Sequence, residues 1–132
     1  MLVGIVLHEG IHALGWKFFG NLRWRDLRFG VDRKTLSPYC HARVPMSARA
    51  YRIGALLPGI LTGLLPTVAG IVLEHAFLTA IGAVLLSAAI GDLIVLWVLR
   101  TIPPDAHVLD HPSNAGCYVL ERDLRPDVAG EE

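Results

Sequence analysis

Cysteine is scarce in this chain of 132 residues, which contains only Cys40 and Cys117. The two lie far apart and form no C-x-x-C pair, so they predict neither a disulfide framework nor a pair of zinc ligands. We expect both thiols to be reduced, small and partly buried.

Net charge is also missing, because 12 lysines and arginines balance 12 aspartates and glutamates. The total charge therefore gives no indication of a nucleic-acid partner. Hydrophobic residues make up 53% of the chain and the mean hydropathy is +0.48, which is high for a soluble domain. The length fits a single domain, 1–132, and the composition indicates that this domain is embedded in a membrane.

The N-terminus lacks a basic region and a small-residue cleavage site, so a cleavable signal peptide is not predicted. The chain begins inside an apolar segment without a helix cap. We therefore expect further residues upstream of Met1 in the full protein or in its relatives.

Charge is absent from 53–73 and rare in 77–100, and both segments are long enough to cross a membrane. The segment 1–20 is mostly apolar and predicts another span. Pro58 and Pro66 are expected to bend the second span, and the carbonyl groups that they free need partners within the bundle. The predicted fold is therefore mainly α-helical and integral to the membrane, with three transmembrane helices.

The polar segment 21–52 predicts a small β-hairpin, because its residues partly alternate and 30–34 resembles a turn. Its only acids are Asp26 and Asp32. A basic loop between spans is typical of the cytoplasmic side, and this interpretation is favoured over DNA binding. The basic residues are Arg23, Arg25, Arg28, Arg33, Lys34, Arg43, Arg49 and Arg52.

The tail, 101–132, contains two strand-like runs at 106–109 and 117–120, joined by a turn at 110–114. With three spans, the tail lies on the same cytoplasmic side as the basic hairpin. We expect 122–132 to be polar and frayed.

A single motif stands out, His8-Glu9-Gly10-Ile11-His12, which has the pattern H-E-x-x-H. On a helix, His8 and His12 lie one turn apart on the same face and can bind one Zn²⁺. Glu9 then lies beside the metal, where it can take a proton from a water molecule. Two buried structural histidines are the alternative, but ionisable groups within an apolar span indicate function.

A catalytic zinc usually has three protein ligands. The metzincin extension would require histidine at position 18, which is Phe18. Asp92 is the only charge in the interior of the third predicted span and lies at the same predicted depth as His12. Ligation to zinc would remove the cost of a buried carboxylate, although a structural pairing of Asp92 with Lys17 or a backbone group stays open. His41, His107 and His111 are weaker candidates, and His41 would approach the site only if the hairpin folds back.

The order of these motifs resembles the small bacterial membrane family described as putative zincin peptidases, a domain of unknown function. It is also similar in arrangement to site-2 proteases, although Gly91-Asp92-Leu93 differs from their L-D-G motif. The resemblance implies His8, His12 and Asp92 as zinc ligands and Glu9 as the base. It is carried by residues 8–15, 29–30, 36–41, 51–58, 91–92, 103–110 and 116–118.

These observations predict a zinc-dependent membrane peptidase of the bacterial cytoplasmic membrane. Its substrate would be a peptide or membrane protein reached near the cytoplasmic side, and no nucleic-acid partner is expected. The alternative is a membrane scaffold in which Zn²⁺ only ties the first and third helices together.

Overall fold

The computed structural model describes residues 2–33, 37–112 and 116–120, and within them the fold is mainly helical with two small sheets. The predicted turn near 113 and the tail beyond 120 lie outside the described residues. The elements are α1 (Leu2–Phe19), a 3-10 turn (Trp24–Asp26), β1 (Leu27–Asp32), β2 (Ser37–Ala42), β3 (Met46–Ser47), α2 (Ala48–Pro58), a π-helical turn (Gly59–Leu64), α3 (Leu65–Val72), α4 (Ala76–Ala88), α5 (Ile90–Leu99), β4 (His107–Asp110) and β5 (Cys117–Leu120).

The predicted hairpin is present as β1 and β2, which pair antiparallel with Leu27 opposite Ala42. Its predicted extension to residue 52 is wrong, because α2 begins at Ala48. The cause is local: the Ser47 hydroxyl accepts the Ala50 N–H at 3.2 Å and caps the helix. The two strand-like runs of the tail form β4 and β5, and β3 pairs with β4 in the same antiparallel sheet.

The second predicted span is one long helical segment that runs from α2 through the π-helical turn into α3. It is followed by a tight reversal in which Glu74 has a positive φ of 53°. α3 and α4 then pack closely, since a Cβ on Gly70 would lie 2.4 Å from the Thr79 backbone nitrogen. The third predicted span is not one straight helix, because α4 and α5 meet at Ala89 with a bend of 42°.

The hydrophobic core lies where the C-terminal half of α1 and the start of α2 meet the two sheets. Trp16, Leu22 and Tyr51 are large members, and Val108 of β4 is fully buried. The other members of this buried cluster are Ala13, Leu27, Ala42, Met46, Ala48, Ala50 and Leu99. The core therefore joins the helices to the strands on the side of the molecule where α1 ends.

The prediction of three membrane spans is not confirmed. Among the helices of residues 2–33, 37–112 and 116–120, only Ala48–Val72 could cross a membrane by length and composition. The bent pair Ala76–Ala88 and Ile90–Leu99 makes a second if it counts as one span. α1 is not among these helices within the described part of the chain. Its 18 residues include His8, Glu9, His12 and Lys17, and these four polar side chains lower its hydropathy.

Candidate metal centre

The two histidines of the motif lie on one buried face of α1. His8 and His12 are separated by one helical turn, and their ring centroids are 4.9 Å apart in an edge-to-face arrangement. The residues are only 8% and 6% exposed, respectively. Both imidazoles are therefore held in the interior, where a polar ring needs a defined partner.

Asp92 faces both imidazoles from the first turn of α5. Its Oδ2 lies 3.1 Å from Nε2 of His8, and its Oδ1 lies 3.5 Å from Nε2 of His12. The contact agrees with the matching depth predicted for His12 and Asp92. The sequence left open a structural pairing of Asp92 with Lys17 or a backbone group, whereas the partners that the structure shows are the two histidines. Its role as a metal ligand stays a prediction.

The other nitrogen of His12 has a separate partner. Nδ1 of His12 lies 2.9 Å from the carbonyl oxygen of Gly54, to which it can donate its proton. With the proton on Nδ1, neutral His12 has a lone pair on Nε2, the nitrogen that faces Asp92. The His12 ring also stacks on Trp16, which stacks on Tyr51.

Glycines allow α1 and α2 to approach closely at this level. A Cβ on Gly15 would lie 2.7 Å from the Cα of Gly54, and a Cβ on Gly54 would lie 2.2 Å from Cδ1 of Trp16. Any larger side chain would force the helices apart. Both positions therefore require glycine for packing, and this close approach brings His12 to the α2 backbone.

Glu9 is attached to the hairpin. Its Oε2 accepts the backbone N–H of Cys40 at 2.9 Å. One ligand atom from each of His8, Glu9 and His12 lies within 4.8 Å of the others, the one group of at least three such side chains within metal-binding distance in the described chain. The Glu9 carboxylate is therefore oriented beside the two imidazoles by the β2 backbone.

The predicted state of the cysteines agrees with their surroundings. Cys40 and Cys117 are free thiols, and both are partly buried. Burial, with a smaller effect from the charges of Glu9 and Asp110, raises the pKa of Cys40 to about 12. Burial likewise raises the pKa of Cys117 to about 11. Both thiols are thus protonated at neutral pH, which disfavours metal ligation.

His41 belongs to a second polar cluster. Its Nδ1 lies 2.8 Å from Oδ2 of Asp110, which also accepts the Ala42 N–H at 3.2 Å. The Tyr51 hydroxyl donates to Oδ1 of the same carboxylate at 3.0 Å. The buried Asp110 therefore joins β2, β4 and α2. No periodic pattern in the sequence predicts this cluster.

The remaining histidines lie on other segments of the described structure. Nδ1 of His75 accepts the Leu78 N–H and caps α4. The His111 ring contacts the Tyr118 ring with centroids 4.9 Å apart, and His107 is exposed in β4. None of these residues joins the group formed by His8, Glu9 and His12 in the described part of the chain.

A family model described as "Putative zincin peptidase" matches residues 1–107. The chain belongs to this family. The match includes the motif on α1, the hairpin and Asp92, and it confirms the resemblance seen in the sequence. No curated protein and no solved structure matches the chain.

Membership in a zincin family implies zinc, and the donors fit that metal. Two imidazole nitrogens and a carboxylate are ligands that zinc accepts at catalytic sites. The Nδ1 contact of His12 with a backbone carbonyl is also the usual outer hydrogen bond of a zinc-bound histidine. The residues present are therefore chemically suited to zinc.

Proposed function

We propose that the chain is a zinc-dependent membrane peptidase in which His8, His12 and Asp92 hold the metal and Glu9 is the general base. The single observation that carries this proposal is the position of the Asp92 carboxylate. It lies opposite Nε2 of both histidines, at 3.1 and 3.5 Å. Two imidazoles of α1 thus face a carboxylate of α5, and the Glu9 carboxylate lies beside the same imidazoles.

Each donor has a part in binding. The His8 and His12 nitrogens are fixed by burial and by the backbone of α1, so little side-chain freedom is lost when they bind a cation. Asp92 supplies a negative charge, which offsets part of the positive charge that enters the site. When bound, zinc supplies Lewis-acid activation of a peptide carbonyl and of water.

Glu9 provides the proton transfer. One of its carboxylate oxygens is held by the Cys40 N–H, which keeps the head group in a fixed direction. The carboxylate takes a proton from the attacking water and passes it to the nitrogen of the departing amine.

The membrane setting is part of the proposal. Val3, Val6 and Phe18 are 72%, 52% and 72% exposed on α1, and their apolar surface is suited to lipid. The peptide substrate would reach the site near the cytoplasmic side, next to the basic hairpin. α1, α2–α3 and α4–α5 would then cross the bacterial cytoplasmic membrane, with the hairpin and the tail in the cytoplasm.

The alternative, a zinc-binding scaffold without activity, has one observation in its favour. Asp92 already links α1 to α5 through its contacts with His8 and His12. A metal held by these side chains would strengthen that link without any need for Glu9. The two functions therefore differ in what Glu9 does, and not in which residues bind zinc.

Zinc content tests the metal-binding part of the proposal. The purified parent should hold about one zinc per chain, and His8→Ala or His12→Ala should lose it. His107→Ala is the matched control, because this histidine is exposed in β4. Full zinc occupancy in both motif variants, measured by elemental analysis, would show that the site is elsewhere.

A further inference from the structure

Pro58 lies four residues after Gly54 in α2 and has no backbone N–H. In a regular α-helix, the carbonyl of residue 54 would accept the N–H of residue 58. The proline removes that donor, and its ring pushes the carbonyl of Gly54, four residues earlier, away from the helix axis. The Gly54 carbonyl is thereby left for another partner.

That partner is His12. Its Nδ1 lies 2.9 Å from the Gly54 oxygen, and both residues are buried. The contact requires the close approach of α1 and α2 that Gly15 and Gly54 allow. A buried carbonyl without a donor is costly, so the imidazole and the carbonyl satisfy each other.

We propose that Pro58 is a positioning residue for the metal centre: it frees the Gly54 carbonyl, which holds the His12 ring with Nε2 directed at Asp92. This inference rests on the proposed zinc site and extends it to a residue that touches no metal. Pro58 is fully buried, yet its role is to withhold a hydrogen bond from its own helix.

Pro66 offers a matched comparison in the same helical segment. It also lacks an N–H, but it lies in the first turn of α3. It lies eight positions after Pro58, about 12 Å along a helix at 1.5 Å per residue. A carbonyl freed by Pro66 is therefore too far along the helix to hold His12.

The test compares zinc affinity by chelator competition in four full-length proteins: the parent, Pro58→Ala, Pro66→Ala and a chain with the backbone ester of alanine at position 58. Pro58→Ala restores the N–H, which competes for the Gly54 carbonyl. The ester has the same methyl side chain but no N–H. We expect zinc binding about tenfold weaker in Pro58→Ala, at the lower end of losses for outer hydrogen-bond partners. Pro66→Ala should match the parent, and the ester should recover most of the affinity.

The second readout is the His12 Nδ1 proton in nuclear magnetic resonance spectra of histidine-labelled, metal-free protein. In the parent this proton should exchange slowly with water, because it is buried and bonded to Gly54. In Pro58→Ala the exchange should be several times faster, and in Pro66→Ala it should be unchanged. The signal is assigned by its loss in His12→Gln.

The outcomes separate the two proposals. If the parent binds no zinc, the proposed function fails, whereas the exchange rates still decide the role of Pro58. Parent-like exchange and affinity in Pro58→Ala would overturn the inference. So would fast exchange of the His12 proton in the parent, a measurement that does not depend on the folding of any variant. If the ester protein binds zinc as weakly as Pro58→Ala, the proline ring matters and the missing N–H does not, which would also overturn the inference.

Discussion

Oδ2 of Asp92 lies 3.1 Å from Nε2 of His8, although 84 positions separate the two residues in the chain. The bend at Ala89 begins α5 just before Asp92, so this carboxylate is in the first turn of a new helix. The contact brings a carboxylate from one helix to an imidazole of another. It is the relationship on which the proposed ligand set depends.

Removing this carboxylate should weaken zinc binding directly. We expect Asp92→Ala to lower zinc affinity by more than about 100-fold, beyond the range for outer-shell partners. Asp32→Ala, an exposed aspartate of β1, is the control and should bind zinc like the parent. Chelator competition measures both. Normal affinity in Asp92→Ala would place the third ligand elsewhere, and His41 would then be the next residue to test.

How much of the site followed from sequence depends on distance along the chain. His8, Glu9 and His12 lie within five consecutive residues, little more than one helical turn. Helical periodicity alone therefore predicts that they lie close together. The matching depths of His12 and Asp92 in two predicted helices predict that Asp92 lies near the motif. The contact with Gly54 is not predictable, because Pro58 indicates a free carbonyl but not which side chain approaches it. That depends on how α1 and α2 cross at their glycines.

The fold shows the same limits. Turn signals and alternation located β1 with β2 and β4 with β5, whose partners are near in sequence. The sequence does not predict the pairing of β3 with β4 or the contact of His41 with Asp110, because each joins residues at least 60 positions apart. The bend at Ala89 has no proline to mark it. Hydropathy predicts α1 as a span, but the polar side chains of its motif lower its hydropathy, so this span is not confirmed within the described residues.

Asp110 should be important for stability. Its buried carboxylate accepts bonds from His41, Ala42 and Tyr51. We expect Asp110→Ala to lower the free energy of unfolding by about 3 kcal/mol, because several buried donors lose their acceptor. Tyr51→Phe keeps the stacking on Trp16 and should cost about 1 kcal/mol. Denaturant titration in detergent measures both, and equal stability of Asp110→Ala and the parent would contradict this account.

The two cysteines should resist alkylation in the folded chain. Burial raises the pKa of Cys40 to about 12 and that of Cys117 to about 11, compared with an ordinary value of 9.0. At pH 8 the thiolate fraction, and with it the rate of reaction with iodoacetamide, should fall about 1,000-fold for Cys40 and about 100-fold for Cys117. Mass spectrometry of native and denatured protein gives the rates. Equally fast labelling of Cys40 in both states is the opposing result.

The orientation of the helices can be tested with single cysteines in a background that lacks Cys40 and Cys117. Arg49 is exposed at the start of the first candidate span, Asp105 is exposed after the second, and Leu73 is exposed in the turn between them. A membrane-impermeant maleimide added to intact cells should label Leu73→Cys but not Arg49→Cys or Asp105→Cys. The reverse pattern would invert the proposed topology. If none of the three positions is labelled in intact cells but all are labelled after lysis, the turn at Leu73 is not exposed at the cell surface. That result would contradict the proposed spans.

Glu9 distinguishes a peptidase from a scaffold. Glutamine has the shape of glutamate and can still accept the Cys40 N–H, but it cannot take a proton from water. Glu9→Gln should therefore keep zinc affinity and thermal stability close to those of the parent. Its turnover should fall by about 10²- to 10⁴-fold, the usual contribution of a general base.

The measurement for Glu9 is made in membranes of a host that lacks the native protein, where new peptide N-termini are labelled and counted. Glu74→Gln is the matched control, because it makes the same chemical change at an exposed turn. The parent and Glu74→Gln should generate the same new termini, and Glu9→Gln should generate almost none. If Glu9→Gln cleaves as well as the parent, its carboxylate is not the base. If the parent and Glu9→Gln both bind zinc and neither of them cleaves, the metal ties α1 to α5 and the scaffold function is correct.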